Sequence, residues 1–145
     1  MKLTHQLRRL ILSFEELNNS YSGSIKSSAH AESYIRAIPQ LKEYLELQEV
    51  MIAIFLNNNH IPLGYQVVSI GHETGCFANP KIICAAAILS LSQAVIVVHN
   101  HPSGKTQASE KDRAFTKNLV DALKLFDIRL LDSLILTKTE LKTIL

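Results

Sequence analysis

Blocks of apolar and polar residues alternate along this chain, and the spacing within each block predicts its secondary structure. Residues 3–17 carry apolar side chains at helical intervals, which predicts an amphipathic helix, and the turn-forming residues 18–24 follow it. The apolar runs at residues 50–56 and 94–98 have no helical spacing and are rich in β-branched residues, which predicts buried strands. The pattern therefore indicates a domain built from both helices and strands.

The remaining elements fill the chain without long structureless gaps. A helix is predicted after Ser27 and Ser28 with a break at Pro39, and another is predicted to begin with Pro80 as its first residue. The further predictions are a turn at residues 57–60, a strand at 61–70, a helix from 110 to about 125 and a strand at 128–136. This alternation predicts an α/β protein, a three-layer α/β/α domain with a mixed sheet.

Two segments are expected. Residues 1–22 form an N-terminal amphipathic helix and linker, and residues 23–145 form one domain. The first helix is expected to pack on its own domain. Its docking on a partner, or on a second copy of the chain to give a homo-oligomer, stays open as an alternative.

Composition limits the class of protein. No apolar run reaches the roughly 18 residues that a membrane span requires, and no signal peptide is visible. Cys76 and Cys84 give neither a disulfide framework nor a zinc ribbon, and the net charge of +2 does not indicate a nucleic-acid-binding surface. A soluble cytoplasmic protein without a membrane role is expected, and a nucleic-acid role is neither implied nor excluded by the composition.

Candidate chemistry lies at the end of the predicted strand 94–98. Side chains alternate along a strand, so His99 and His101 are expected to face the same side, with Asn100 turned away. Ser109 is a typical helix N-cap, and Asp112 then falls in the first helical turn. Two imidazoles and a carboxylate suit a catalytic zinc site with one open position, whereas the structural interpretation is two hydrogen-bonded histidines and a capping aspartate.

The spacing of these residues resembles the signature of the JAMM/MPN zinc metallohydrolases, namely His-x-His, seven residues, and Ser-x-x-Asp. The Asn between the histidines and the Pro-Ser-Gly after them make the stretch similar to RadC-like proteins. The resemblance implies the JAB/MPN, cytidine-deaminase-like architecture, a Zn²⁺ cofactor, and hydrolysis of a peptide or isopeptide bond in a protein or peptide substrate. The family is customarily labelled as DNA repair.

Two further residues receive roles from this resemblance. Glu49 directly precedes the strand 50–56, and in the family such a glutamate is the catalytic base, whereas the residue alone indicates a solvated strand cap. Ser109 is implied to stabilise the oxyanion, and its alternative is a pure N-cap. Glu73 is the second choice for the base, and His72 is the other histidine whose loop could approach the site.

The chain also departs from the family. Ser133 follows Asp132 where RadC-like chains commonly have histidine, and the helix-hairpin-helix region that many members carry is not found at the N-terminus. A non-catalytic metal-binding or scaffold module and, less favoured, a metal-dependent nuclease remain alternatives to the enzyme. The nuclease requires a basic groove that composition does not indicate.

Overall fold

The computed structural model describes residues 23–71 and 78–145. The predicted first helix lies outside these residues, as do His72, Glu73 and Cys76. The helices are α1 (Ser28–Ala37), α2 (Pro39–Tyr44), α3 (Pro80–Leu89) and α4 (Glu110–Lys124). The strands are β1 (Val50–Leu56), β2 (Pro62–Ile70), β3 (Ala94–Asn100), β4 (Arg129–Leu136) and β5 (Leu141–Thr143). None of the helices in these ranges is long and apolar enough to cross a lipid bilayer.

The strands form one mixed sheet in the order β2-β1-β3-β4-β5. Strands β3 and β4 are parallel and are connected through α4, as parallel neighbours require, whereas the other pairs are antiparallel. The two strands predicted to be buried, β1 and β3, are central and have no exposed residue. The mixed sheet is therefore confirmed.

Each face of the sheet is covered by helices. Helices α1 and α2 pack on one face against alternate residues of the central strands, among them Ile52, Ile54 and Ile96. Helices α3 and α4 cover the opposite face, where Ala53 and Val97 belong to a separate cluster. Because successive side chains point to opposite faces, two apolar strands supply both cores, and the three-layer prediction is confirmed.

The predicted element boundaries follow from capping chemistry. Ser27 caps α1 by accepting a hydrogen bond from the His30 N–H, and Pro39 and Pro80 stand in the first turns of α2 and α3.

The β1–β2 pairing shifts register between Phe55 and Leu56, opposite Gly64 and Pro62. Strand β2 is an edge strand, where such a bulge and a proline are tolerated.

Asn100 ties the end of β3 to the turn that precedes β1. Its Oδ1 accepts a hydrogen bond from the Val50 N–H at 2.7 Å. Its side-chain amide N–H groups are shared among the carbonyls of Tyr44, Leu45 and Gln48 at 2.8–3.1 Å. The side chain is fully buried, so every one of these bonds replaces a bond to water. One amide therefore fixes the position of the segment that carries Glu49.

Ile54→Ala is expected to lower the free energy of unfolding by about 2–5 kcal/mol, because Ile54 is fully buried in the centre of the sheet and its removal leaves a cavity. The control is Leu47→Ala, whose side chain is 64% exposed, and its change should stay within about 0.5 kcal/mol. Urea unfolding monitored by circular dichroism measures both. Equal losses in the two variants would contradict the assignment of Ile54 to the core.

Asn100→Ala is expected to cost about 2–5 kcal/mol, since it leaves the buried Val50 N–H and the neighbouring carbonyls without partners. Asn58→Ala is the matched control, because Asn58 is exposed in the β1–β2 turn. Urea unfolding gives both values. An Asn100 variant as stable as the Asn58 variant would mean that water replaces the buried amide at no cost.

Candidate metal centre

The two histidines of the His-x-His motif meet at the end of β3. His99 is the penultimate residue of the strand and His101 follows it, so both side chains point to the α3–α4 face while Asn100 points to the other. Their Nε2 atoms lie 3.0 Å apart, and the rings meet edge to face. The His99 side chain is buried, and that of His101 is 12% exposed. The sequence prediction of a shared side is therefore confirmed.

Asp112 reaches the histidines from the first turn of α4. Ser109 is the N-cap, and the two residues form a capping box. In it the Asp112 N–H donates to Ser109 Oγ at 3.1 Å and the Ser109 N–H donates to Asp112 Oδ2 at 2.7 Å. Asp112 Oδ1 lies 3.3 Å from His99 Nε2, and Oδ2 lies 3.7 Å from His101 Nε2. The cap that begins the helix therefore also orients the carboxylate toward both imidazoles.

The backbone of the connecting loop sets the tautomer of His101. Its Nδ1 lies 2.8 Å from the Lys105 carbonyl oxygen, and a carbonyl only accepts, so Nδ1 carries the proton. Gly104 permits this approach, because it adopts a φ of +78° in the turn that its N–H closes onto the His101 carbonyl. In a neutral His101 the Nε2 lone pair is then directed at His99 and Asp112, as in metal-ligating histidines whose other nitrogen is hydrogen-bonded.

The three donor groups fit a single zinc ion. One ligand atom from each of His99, His101 and Asp112 lies within 4.8 Å of the others, and within the described residues no other His, Cys, Asp or Glu cluster does so. Tetrahedral zinc with bonds of about 2.0–2.1 Å separates its ligand atoms by about 3.3 Å. The two Nε2 atoms lie 3.0 Å apart, and a different oxygen of Asp112 lies near each, at 3.3 Å from His99 and 3.7 Å from His101, so the separations lie around that value. These residues therefore form a candidate metal site.

The surroundings of Asp112 keep its carboxyl group ionised. Burial raises the pKa of the Asp112 carboxyl, but the neighbouring His101 and His99 rings and the hydrogen bond from the Ser109 N–H outweigh it and hold that pKa well below its usual range. The neighbouring Asp112 carboxylate raises the pKa of His101 against the effect of burial. The Lys105 carbonyl and the charges of Asp112 and Glu49 add to the increase. Asp112 is therefore a carboxylate at neutral pH.

Glu49 lies on the same side of the sheet as the histidines. Met51 pairs with His99 in the β1–β3 ladder, so extending this antiparallel register by two residues brings Glu49 opposite His101. Its charge acts on the pKa of His101, and its carbonyl accepts the Gly71 N–H at 2.8 Å. The side chain is half-buried, unlike that of a fully solvated strand cap. Its role as a base remains a prediction.

The Ser109 hydroxyl is exposed beside Asp112. Its oxygen accepts the capping bond, which leaves the hydroxyl hydrogen available for donation. The N-cap role of Ser109 is therefore confirmed, and the oxyanion role remains a prediction that the cap does not contradict.

Ser133 and Thr116 form a buried pair of hydroxyl groups beneath α4. Its Oγ lies 2.8 Å from Thr116 Oγ1, and both side chains are buried. Thr116 follows Asp112 by one helical turn, so this pair lies about one turn of α4 beyond the candidate ligand. In this chain a hydroxyl pair fills the position where RadC-like proteins commonly carry histidine.

Sequence reasoning missed two contributions to the site. The sequence gives Asn100 no structural role beyond turning away from the site, although an amide between two candidate ligands at the end of a buried strand is a signal for an anchoring role. The Lys105 carbonyl has no signal in the sequence, because any residue supplies a carbonyl and only the loop conformation directs it at His101.

Comparison with known proteins identifies the family. A family model described as the RadC-like JAB domain matches residues 25–144. A UPF0758 protein of Xanthomonas euvesicatoria pv. vesicatoria is 44% identical over 88 residues, which cover 61% of this chain and 39% of the relative. A UPF0758 protein of Halorhodospira halophila is 37% identical over 109 residues, covering 75% of this chain and 47% of the relative.

The chain thus spans less than half the length of these relatives, and their names state no activity. The family match nevertheless covers β1, β3, the connecting loop and α4, and therefore every residue of the candidate metal site. The chain belongs to the family of RadC-like JAB domains.

Proposed function

We propose that this domain is a zinc-dependent hydrolase of the JAMM type that cleaves a peptide or isopeptide bond in a protein or peptide substrate. The observation that carries the proposal is the convergence of His99 Nε2, His101 Nε2 and the Asp112 carboxylate at separations of 3.0–3.7 Å, on the side of the sheet that Glu49 shares. Three protein ligands leave one coordination position open, which is typical of catalytic zinc.

The protein ligands and the zinc ion have separate roles in the proposed reaction. His99, His101 and Asp112 would hold the zinc, which when bound supplies Lewis-acid polarisation of the scissile carbonyl and activation of water. The bond from His101 Nδ1 to the Lys105 carbonyl and the capping box at Asp112 hold two of the ligands in place. Each of these bonds joins a side chain to a backbone group of the protein itself, which supports a preorganised site.

Glu49 is the proposed general base. It accepts a proton from the attacking water and delivers it to the leaving nitrogen as the carbon–nitrogen bond breaks. Its half-buried position opposite His101 supports this role, since a carboxylate there faces the same space as the ligands. The Asn100 amide, through Val50 and Gln48, fixes the backbone on both sides of Glu49 and so limits its range of positions.

Ser109 is the proposed oxyanion donor. While its oxygen accepts the Asp112 N–H, its hydrogen can point to the carbonyl oxygen that becomes negative during attack. The N-terminus of α4, which begins at Glu110, adds a partial positive charge in the same direction.

Protein purified without added metal is expected to contain about one equivalent of zinc, and His99→Ala, His101→Ala or Asp112→Ala should each abolish it, because two ligands seldom retain the ion. His60→Ala is the control, since His60 lies in the turn after β1 at the other end of the sheet. Inductively coupled plasma mass spectrometry measures the metal. A zinc-free wild-type protein whose melting temperature does not change on addition of a chelator would refute the assignment of the metal ligands.

Glu49→Gln is expected to retain zinc and fold but to lower turnover by about 10²- to 10⁴-fold, since an amide keeps the shape and cannot accept the proton. This equals roughly 3–5 kcal/mol in the barrier. Glu46→Gln is the matched control, because Glu46 precedes β1 by a few residues and its carboxylate is paired with the exposed Lys138.

A substrate for this measurement is obtained by comparing the protein termini and branched peptides of cells with and without the protein. Full turnover by a zinc-loaded Glu49→Gln protein would remove Glu49 from the mechanism. A zinc-loaded wild-type protein for which no cleaved bond is found, and whose partners bind Glu49→Gln equally well, would favour the scaffold alternative.

A further inference from the structure

Two clefts flank the short strand β5. One has a volume of about 380 Å³ and lies between Thr106 of the connecting loop and residues 140–142. The other has a volume of about 340 Å³ and lies between α4, which supplies Arg113 and Lys117 to its wall, and residues 144–145. We call the two clefts together the β5 groove.

The side chains of β5 that line the groove point toward α4. The Ile144 N–H donates to the Ser133 carbonyl at 2.7 Å, and the Ser133 hydroxyl contacts Thr116 of α4, so Ile144 lies on the α4 side of the sheet. Lys142 is two residues earlier and therefore points to the same side, roughly 7 Å along the strand. The two clefts thus follow one another along β5.

The β5 groove begins beside the candidate metal ligands. The Leu136 carbonyl accepts the His101 N–H at 3.0 Å, and Leu136 pairs with Leu141, the first residue of β5. On the opposite wall, Arg113 directly follows Asp112 in the first turn of α4. A chain that lies in the groove would therefore lead to the candidate site.

The β5 groove carries an excess of positive charge. Its lining contains the exposed cations Arg113, Lys117 and Lys142 and a single carboxylate, that of Glu140. None of the three cations forms an ion pair within residues 23–71 and 78–145. The charge of the groove is therefore complementary to a ligand that carries carboxylates.

The outer edge of β5 also offers backbone groups for pairing. β5 is the last strand of the sheet, and no strand of the described chain pairs with its outer edge. Glu140 accepts a backbone hydrogen bond from Thr137, and Ile144 donates one to β4, so alternate residues of the strand face inward. Leu141 and Thr143 consequently direct two N–H and two C=O groups outward.

We propose that the β5 groove binds an extended, acidic segment of the substrate, which pairs with the edge of β5. This inference rests on the proposed hydrolase function, because it assigns the groove to the substrate of the metal site. Exposed strand edges bind peptides by addition of a strand. Alternate side chains of the added strand lie on the α4 side, where carboxylates at every second position reach Arg113, Lys117 and Lys142.

The strand edge favours a peptide over a nucleic acid. A phosphodiester chain would satisfy the cations, but it has no amide backbone to pair with Leu141 and Thr143. A peptide uses both the charge of the groove and the backbone of its edge.

Fluorescein-labelled octapeptides in which threonine alternates with glutamate, glutamine or lysine test the charge of the groove. The zinc-loaded full chain should bind the Thr-Glu peptide most tightly and the Thr-Lys peptide least, as measured by fluorescence anisotropy, and added salt should weaken the Thr-Glu complex. Joint replacement by Arg113→Gln and Lys117→Gln should weaken that complex by roughly 2- to 30-fold. Lys42→Gln is the matched control, because Lys42 is exposed on α2, across the sheet.

Thr143→Pro and Thr143→Val together test the backbone edge. Both lose the hydroxyl that donates to Asp132, but only proline also removes the N–H that faces outward. Thr143→Pro should therefore bind the Thr-Glu peptide more weakly than Thr143→Val. Urea unfolding and zinc content check that each variant is folded, and the Arg113 and Lys117 replacements decide the test if the proline variant is not.

Three results would overturn the inference. They are equal binding of the three peptides, unchanged binding after the Arg113 and Lys117 replacements, and tighter binding of a thymidine octanucleotide that these replacements abolish, which would favour a nucleic acid. A zinc-loaded protein that cleaves its substrate but does not bind the Thr-Glu peptide would remove the groove and leave the proposed function intact. A zinc-free protein that binds this peptide would support the groove and contradict the metal site.

Discussion

The alternation of side chains over three residues at the end of β3 is the constraint on which the site depends. Because His99 and His101 point to one face, Asn100 must point to the other, where it is buried against the turn before β1. The same three residues therefore carry two candidate ligands on one side and the anchor for Glu49 on the other. A change in the backbone of residues 99–101 that displaces the candidate ligands would therefore displace the anchor for Glu49 as well.

Helix α4 adds the third ligand by the chemistry that starts a helix. A capping box needs a side chain at its third helical residue that accepts the N-cap N–H, and Asp112 meets this need with Oδ2. Both of its oxygens also face the histidines, Oδ1 toward His99 and Oδ2 toward His101. Burial alone would favour a neutral carboxyl here, so the surrounding donors are what keep Asp112 ionised. The stability of α4 and the charge of the candidate site are thus connected.

Most of the fold was predictable from the sequence because its signals are local. The runs 50–56 and 94–98 are apolar on both faces and short, and Ser109 and Pro80 stand where caps and first turns favour them. The site was less predictable where it depends on backbone groups. The Lys105 carbonyl that orients His101 leaves no pattern, and the four bonds of Asn100 depend on a turn about fifty residues earlier in the chain. Strand β5 was also not predicted, because three residues are too few to give a period.

The register of β1 against β3 explains why irregularities occur elsewhere in the sheet. The β1–β2 and β3–β4 ladders each contain at least one register shift, whereas β1 and β3 pair without interruption from Met51 with His99 to Leu56 with Ala94. A shift of one residue between β1 and β3 would turn Glu49 to the face opposite the histidines. The ladder that aligns the proposed base with the candidate ligands therefore has an unbroken register, and the register shifts lie in the two neighbouring ladders.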